Sequence, residues 1–376
     1  MKIQKVLISG GAGFIGSHLS RRLHRAGLEV TVLDNLSPQI HGEHSTLFES
    51  IRKDVNFIRG DVRSKDDWRR ALVGQDAVVH LAAETGTGQS MYEIDRYVDV
   101  NMRGTGLLLD LLANEQHQVR KLLVASSRSI YGEGKANCAV CGVVYPRERA
   151  DGQLKRGDFL VKCPSCGGDT HPLATDEESK LHPSSIYGIT KQAQEQLVLT
   201  AGRSLGIAAV ALRYQNVYGP GQSLSNPYTG ILSIFSTRIR NGNDINVFED
   251  GKESRDFVFI DDVVDATTLA LESDRTDFLS VNVGSGVPTD VMTVAKTLRN
   301  AYGGNVRIEV SGNYRLGDIC HNFADLSRAR SALGYEPKVH FEEGVSRFAE
   351  WVQSQALAAD NYQHSIDEMK RRGLMK

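Results

Sequence analysis

Nowhere in the 376-residue sequence do 18 apolar residues follow one another, so the chain offers no candidate for a membrane-spanning helix. Met1-Lys2-Ile3-Gln4-Lys5 runs directly into Val6-Leu7-Ile8-Ser9, without the apolar core or cleavage site of a secretory leader, and a cytoplasmic protein with no membrane partner is the expectation. Charge of one sign is lacking too. With 44 Lys and Arg against 46 Asp and Glu, the formal charge of -2 supplies no general field for a polyanion, and no nucleic-acid partner is expected. No internal repeat is found. Cysteine is scarce at five residues, and four of them fall in two C-x-x-C pairs, which in a cytoplasmic chain favours a metal site over disulfides. Cys320 stands apart and reads as an inert core or half-buried thiol.

What is present is an alternation. Short β-branched runs, Val6 to Ser9, Val30 to Leu33, Val55 to Ile58, Ala77 to Leu81, Leu122 to Ala125 and Ala209 to Leu212, alternate with amphipathic stretches. That order predicts an α/β fold, a Rossmann-type doubly wound parallel sheet with helices on both faces. Residues 1–136 are expected to form its dinucleotide-binding domain, continued by 183–215 and 255–283. Residues 137–182 break the rhythm with Gly, Pro, Cys and charge and read as an insertion. A smaller C-terminal substrate lobe is expected from 216–254 and 284–356, followed by 357–376 as a peripheral helix or loose tail.

Ser9-Gly10-Gly11-Ala12-Gly13-Phe14-Ile15-Gly16 links the first strand to a helix. Gly10, Gly13 and Gly16 would give a tight turn, a close backbone approach to a pyrophosphate and a close helix-to-strand contact, with Phe14 and Ile15 opening the helix at the phosphates. The second strand ends in Asp34, followed by Asn35. A carboxylate there accepts hydrogen bonds from an unphosphorylated ribose and repels a 2'-phosphate, so NAD is expected rather than NADP. Further on, Tyr187 and Lys191 in Tyr187-Gly188-Ile189-Thr190-Lys191 stand four apart and share a helix face. Free tyrosine has a pKa of about 10, so a nearby ammonium would be needed to make its phenolate a base near neutral pH.

These strings together resemble the extended short-chain dehydrogenase/reductases, the NAD-dependent epimerases and dehydratases of nucleotide sugars, from Lys2 to about Trp351. The resemblance implies that Tyr187, Lys191 and Ser127 are catalytic, with Lys191 also holding the nicotinamide ribose. It implies that Asp61 and Val62 border the adenine, and that Leu81, Ala82, Ala83 and Asn101 line the cofactor. It places Asn216 at the sugar or its diphosphate, Arg255 and Arg315 on the diphosphate, and Asp318 on a ribose hydroxyl; Ser127 and Ser129 would face the sugar. Gln215 departs from the family's usual phenylalanine. So do Arg128 and Ser129, where 4,6-dehydratases carry an Asp-Glu pair for elimination, which shifts the expectation towards epimerisation.

The same resemblance flags extra residues between Ser127 and Tyr187. They include Cys138, Cys141, Cys163 and Cys166, with 21 residues between the pairs, a spacing similar to a zinc ribbon and suited to a closed structural zinc. A redox dithiol and a nucleic-acid-binding ribbon remain the alternatives. The insertion and the loops Thr85 to Ser90 and Pro220 to Gly230 look most like dTDP-L-rhamnose 4-epimerases, with Thr85 and Thr87 bordering the sugar. That narrower likeness implies conversion of dTDP-L-rhamnose to dTDP-6-deoxy-L-talose through a transient 4-keto sugar, in a homodimer formed through the helix after Tyr187 and the helix containing Asn101. The competing expectations are a UDP-sugar 4-epimerase, a nucleotide-sugar dehydratase or reductase, and a non-enzymatic NAD-sensing scaffold.

Overall fold

The computed structural model describes residues 3–42, 45–226, 228 and 230–376. Met1 and Lys2 of the amino-terminal segment, Glu43, His44, and Pro227 and Thr229 of the pocket loop lie outside the described residues. Seven parallel strands form the central sheet, in the order Ser280–Val283, Ala208–Tyr214, Lys121–Ser127, Ala77–His80, Lys5–Ser9, Glu29–Asp34 and Asn56–Arg59. The interior strands are buried along nearly their whole length, which is why they read as continuous apolar runs rather than alternating ones. Strand order reverses between Lys5–Ser9 and Ala77–His80, and the crevice beyond their carboxyl ends is where such sheets take ligands.

Helix Phe14–Arg25 buries Gly16, Leu19 and Leu23 against the sheet at helical spacing and stops at Ala26-Gly27. On the same face it packs against Ile260–Glu272. Helix Ile186–Leu205 covers the other face; the Ser185 hydroxyl caps its start by accepting from the Gly188 N–H, and Gly206, in the left-handed region, ends it. Its inward face is unusually polar. Glu195 there forms an enclosed ion pair with Arg213 at 2.6 Å and accepts from the Ser126 hydroxyl, while Arg213 also donates to the Tyr131 hydroxyl. A buried pair completed this way pins the helix to the strands behind it.

A second sheet joins Asn216–Tyr218, Ser254–Phe259, Pro288–Asp290 and His321–Asn322. The strand Ser254–Phe259 therefore lies outside the central sheet, although its following helix Ile260–Glu272 packs on it. Between Ser127 and Tyr187, Lys135–Cys138 pairs antiparallel with both Gly142–Val144 and Thr170–Leu173. The last helix, Tyr362–Arg371, is docked: Tyr362, Ile366, Met369 and Met375 bury together against Ile234 and Phe248. Among the described residues no helix is long and apolar enough to cross a membrane.

Candidate active site

The loop after the first strand is shaped for a phosphate. Gly10 has φ 71°, and a Cβ there would meet the Ala82 backbone nitrogen at 2.7 Å, so the turn lies against the end of the neighbouring strand. A Cβ on Gly16 would meet the Gly10 carbonyl oxygen at 2.3 Å, which leaves helix Phe14–Arg25 no room for a side chain at that step. Gly13 precedes the helix with no side-chain cap, so the first-turn N–H groups of Phe14, Ile15 and Gly16 are aimed outward without an intrahelical partner. Asp34 accepts from the Ala12 N–H at 3.1 Å and from the Leu36 N–H at 2.9 Å, and His41 stands 3.4 Å from its carboxylate. An outward-facing helix terminus beside an enclosed acid fits a dinucleotide with an unphosphorylated ribose.

Asn35 donates to Asp61 at 3.1 Å, and Arg63 grips the same carboxylate through Nε and Nη2. These bonds, led by that from Arg63, hold the Asp61 carboxyl down at about 2. Val62 is buried and packs against Gly104, and Leu81, Ala82 and Ala83 are half-buried along the crevice. His80 is a core residue: its ring bonds the Ser9 hydroxyl at 2.6 Å and the Thr105 hydroxyl at 2.9 Å, and burial holds it neutral. Asn101 is fully enclosed. Its Nδ2 donates to the Glu84 carbonyl and the Thr190 hydroxyl, and its Oδ1 accepts from the Glu84 N–H. It ties the loop at Glu84 to the tyrosine helix, with both amide donors in use.

The close fit of that helix depends on Gly188, where a Cβ would meet the Ser129 carbonyl oxygen at 2.8 Å. Tyr187 is thereby brought beside Ser127, and the Tyr187 N–H donates to the Ser90 hydroxyl at 3.1 Å. Ser129 donates to the Ser127 oxygen through both its N–H and its hydroxyl. Burial raises the Tyr187 pKa, while the Ser127 hydroxyl and the Arg128 guanidinium act in the opposite direction. Lys191, one turn along the same helix, is enclosed and bonded to a neighbour of its own. Its ammonium donates to Gln194 at 2.9 Å, and burial lowers its pKa to about 7. The cation that favours the Tyr187 phenolate in this structure is Arg128, while the Lys191 ammonium is bonded three residues on in its own helix.

Thr85 follows the strand Ala77–His80 and Thr87 opens the short helical turn Thr87–Ser90: the Thr85 carbonyl accepts from Tyr97 at 2.6 Å and the Thr87 carbonyl accepts from Ser90 at 2.6 Å. Thr85 is half-buried and Thr87 exposed. Across the crevice, Arg255 and Arg315 share Asp318, at 3.3 and 3.1 Å. Burial works against ionisation of Asp318, but Arg315, Arg255, Arg149 and Arg128 together hold its carboxyl at about 2. Both of its oxygens serve the arginines, so the carboxylate orients two guanidinium forks whose donor geometry suits a phosphate. Among the described residues, the enclosed Oδ1 of Asn216 and the enclosed Nε of Arg315 have no hydrogen-bond partner, as expected of groups that meet a ligand.

Sequence reading gave no role to Arg149. It leaves the insertion to form an enclosed bidentate ion pair with Glu249 and donates to the Asp318 carbonyl at 3.2 Å. Glu133, four residues ahead of the insertion, accepts from the Cys320 N–H at 2.8 Å, and burial pushes the Cys320 thiol up beyond the thiol range. The insertion is therefore a wall of the arginine cluster. Nothing in the local spacing of these residues signals it, since every partner is distant in sequence. Cys138, Cys141, Cys163 and Cys166 bring their sulfurs within 4.8 Å of one another, with Cys138 and Cys166 at 3.5 Å. Bonds of about 2.3 Å to a tetrahedral zinc would set sulfurs roughly 3.8 Å apart, so the donor set fits that ion.

Fold and site together define a dinucleotide-binding α/β enzyme with a tyrosine positioned for proton transfer beside arginines suited to a diphosphate. Comparison with known proteins gives the class its name. The profile of the NAD dependent epimerase/dehydratase family matches residues 6–148 and 163–284, passing over part of the insertion. A dTDP-L-rhamnose 4-epimerase of Burkholderia thailandensis is 37% identical over 355 residues, 93% of this chain and 95% of that protein. A UDP-glucose 4-epimerase of Thermotoga maritima, solved with UDP-glucose, superposes with a TM-score of 0.75 at 29% identity, covering 93% of this chain and 99% of that one. A Thermus thermophilus UDP-glucose 4-epimerase, solved with NAD, gives 0.72 at 28% identity over 94% of this chain and 100% of that one. The chain belongs to the NAD dependent epimerase/dehydratase family, and it is an isomerase of nucleotide sugars.

Proposed function

We propose that the protein interconverts dTDP-L-rhamnose and dTDP-6-deoxy-L-talose by inverting carbon 4. The observation that carries this reading is the residue pair that follows Ser127. Arg128 and Ser129 stand where elimination enzymes keep an acid and a base, beside Tyr187 and Ser127 held in register for proton transfer. Tyr187 takes the proton from the 4-hydroxyl and gives it back, Ser127 holds the same oxygen, and Arg255 and Arg315 hold the diphosphate. NAD, for which Gly10, Gly13, Gly16 and Asp34 form the cradle, supplies when bound the acceptor for the hydrogen of carbon 4. The 37% identity with the Burkholderia enzyme supports the thymidine nucleotide and the 6-deoxy sugar.

The four cysteines hold a structural zinc that orders the insertion, because four sulfurs close the coordination sphere and leave no position for substrate. Two copies associate through the helices bearing Asn101 and Tyr187, where Ile94, Val98, Ile189 and Leu197 expose apolar side chains. Incubated with dTDP-L-rhamnose and NAD, the protein is expected to yield an equilibrium mixture of the two 4-epimers by NMR, with no accumulation of NADH. Conversion of a UDP-hexose alone would move the substrate and keep the chemistry. Loss of water from the sugar, or steady NADH consumption, would overturn the epimerase reading.

A further inference from the structure

Arg149, Arg255 and Arg315 each have an ion pair, whereas Arg128 has none among the described residues. It opens the short 3-10 turn Arg128–Tyr131 directly after Ser127, at the carboxyl end of the strand Lys121–Ser127. Its Nη1 is fully enclosed and bonds to no group among the described residues, and no ion pair reaches it there. The neighbouring charges explain why. Arg255 and Arg315 already divide Asp318 between them, Arg149 is held by Glu249, and Glu133 accepts from backbone N–H groups. Burial and the repulsion of Arg255 lower the Arg128 pKa to about 9, against the attraction of Asp318, Tyr187 and Glu133. A half-buried guanidinium with an enclosed, unbonded nitrogen and no ion pair is unfavourable unless a ligand completes it.

Its place in the chain locates it: Arg128 follows Ser127 directly, and its charge is felt both by Tyr187, which addresses the hexose, and by Asp318, which holds the diphosphate arginines Arg255 and Arg315. The fork thus lies where the hexose joins its phosphate. A neutral 6-deoxy sugar offers hydroxyls, whereas the phosphate bearing it offers the missing negative charge in a geometry that a guanidinium fork matches. We propose that Arg128 is a substrate-binding residue that grips the sugar-bearing phosphate of the sugar nucleotide and fixes the hexose against Ser127 and Tyr187. This rests on the sugar-nucleotide reading above and adds a contact to it. The position that serves acid catalysis in elimination enzymes then serves anion binding here.

The contact predicts a dependence on the second phosphate. In titration calorimetry of the NAD-loaded protein, dTDP carries that phosphate and dTMP lacks it. Arg128→Met is expected to weaken dTDP binding about 10- to 100-fold, the loss expected for a charge-assisted hydrogen bond, while dTMP binding changes less than about 2-fold. Arg128→Lys, which keeps the charge and loses the fork, should fall between. In turnover, Arg128→Met should raise KM for the sugar nucleotide and also move the alkaline rise of activity to higher pH. Tyr187 faces Arg128, Ser127, Tyr97 and, one turn along its own helix, Lys191, so removing one cation leaves its phenolate less favoured. An Arg128→Met protein that keeps the full gap between dTDP and dTMP would overturn the assignment, and so would equal losses for both, which mark a disturbed fold. A parent that binds neither dTDP nor UDP would overturn the sugar-nucleotide reading and this contact with it. A parent that turns over normally, beside an Arg128→Met variant with unaltered KM and pH profile, would remove the contact alone.

Discussion

At the scale of single residues, the site divides into groups that touch ligand and groups that hold them. Tyr187→Phe removes one hydroxyl from a half-buried ring whose backbone N–H stays bonded to Ser90, so the helix and the cofactor cradle should persist. A loss of activity of roughly a hundred- to ten-thousand-fold is expected, the usual worth of a positioned acid–base group, with NAD retention unchanged by absorbance of the denatured supernatant. Turnover near the parent rate would remove Tyr187 from the chemistry. Much of this was legible in sequence. The glycines, Asp34 and the Tyr187/Lys191 spacing carry local rules, because a turn, a strand end and a helix face each fix the geometry of residues close in the chain. The charge partners were not legible. Lys191 bonds Gln194 within its own helix, one of several polar partners in reach there, while the influence of Arg128 on Tyr187 and the bonds of Asn101 to Glu84 and Thr190 are set by packing between segments up to 89 residues apart.

At the scale of elements, the insertion is the part of this chain that most changes the site. Its three-stranded sheet hangs from Lys135–Cys138, and its Arg149 reaches across to Glu249 and the Asp318 carbonyl. Order in the insertion therefore passes to Arg255 and Arg315 through Asp318. About one zinc per chain is expected by elemental analysis of protein purified without chelator. Cys138→Ser, which removes a buried ligand, should lose the metal and raise KM for the sugar nucleotide, while NAD binding, built from the far side of the crevice, stays within about 2-fold. Metal-free protein with unaltered KM would separate the insertion from the substrate. The sequence showed the insertion as a break in rhythm and its cysteines as two pairs. What it could not show was the contact with the arginines, since Arg149 and Glu249 are 100 residues apart.

At the scale of the whole molecule, the alternation of strands and helices was readable from the start because interior parallel strands are apolar on both faces. The second sheet was less so: Asn216–Tyr218 and His321–Asn322 are too short for a period to emerge. Hardest to read was the carboxyl-terminal segment, whose polar composition hides a docked helix. Glu368 accepts from Tyr228, Arg372 lies over the Tyr92 ring, and Leu374 bonds the backbone of Leu316 beside Arg315. Removing residues 362–376 would uncover Phe248, over which Arg315 stacks at 5.2 Å, and should lower kcat/KM about 10- to 100-fold through misplaced phosphate contacts, with NAD still bound. Unchanged kcat/KM would show the tail to be dispensable. The central claim, that this assembly inverts carbon 4 by removing and restoring the same hydrogen, is tested most directly by running dTDP-L-rhamnose to equilibrium in heavy water and reading the product by NMR. The account predicts a 4-epimer with no deuterium on any sugar carbon; deuterium at a ring carbon or at carbon 6 would mean that hydrogen came from solvent, and would contradict it.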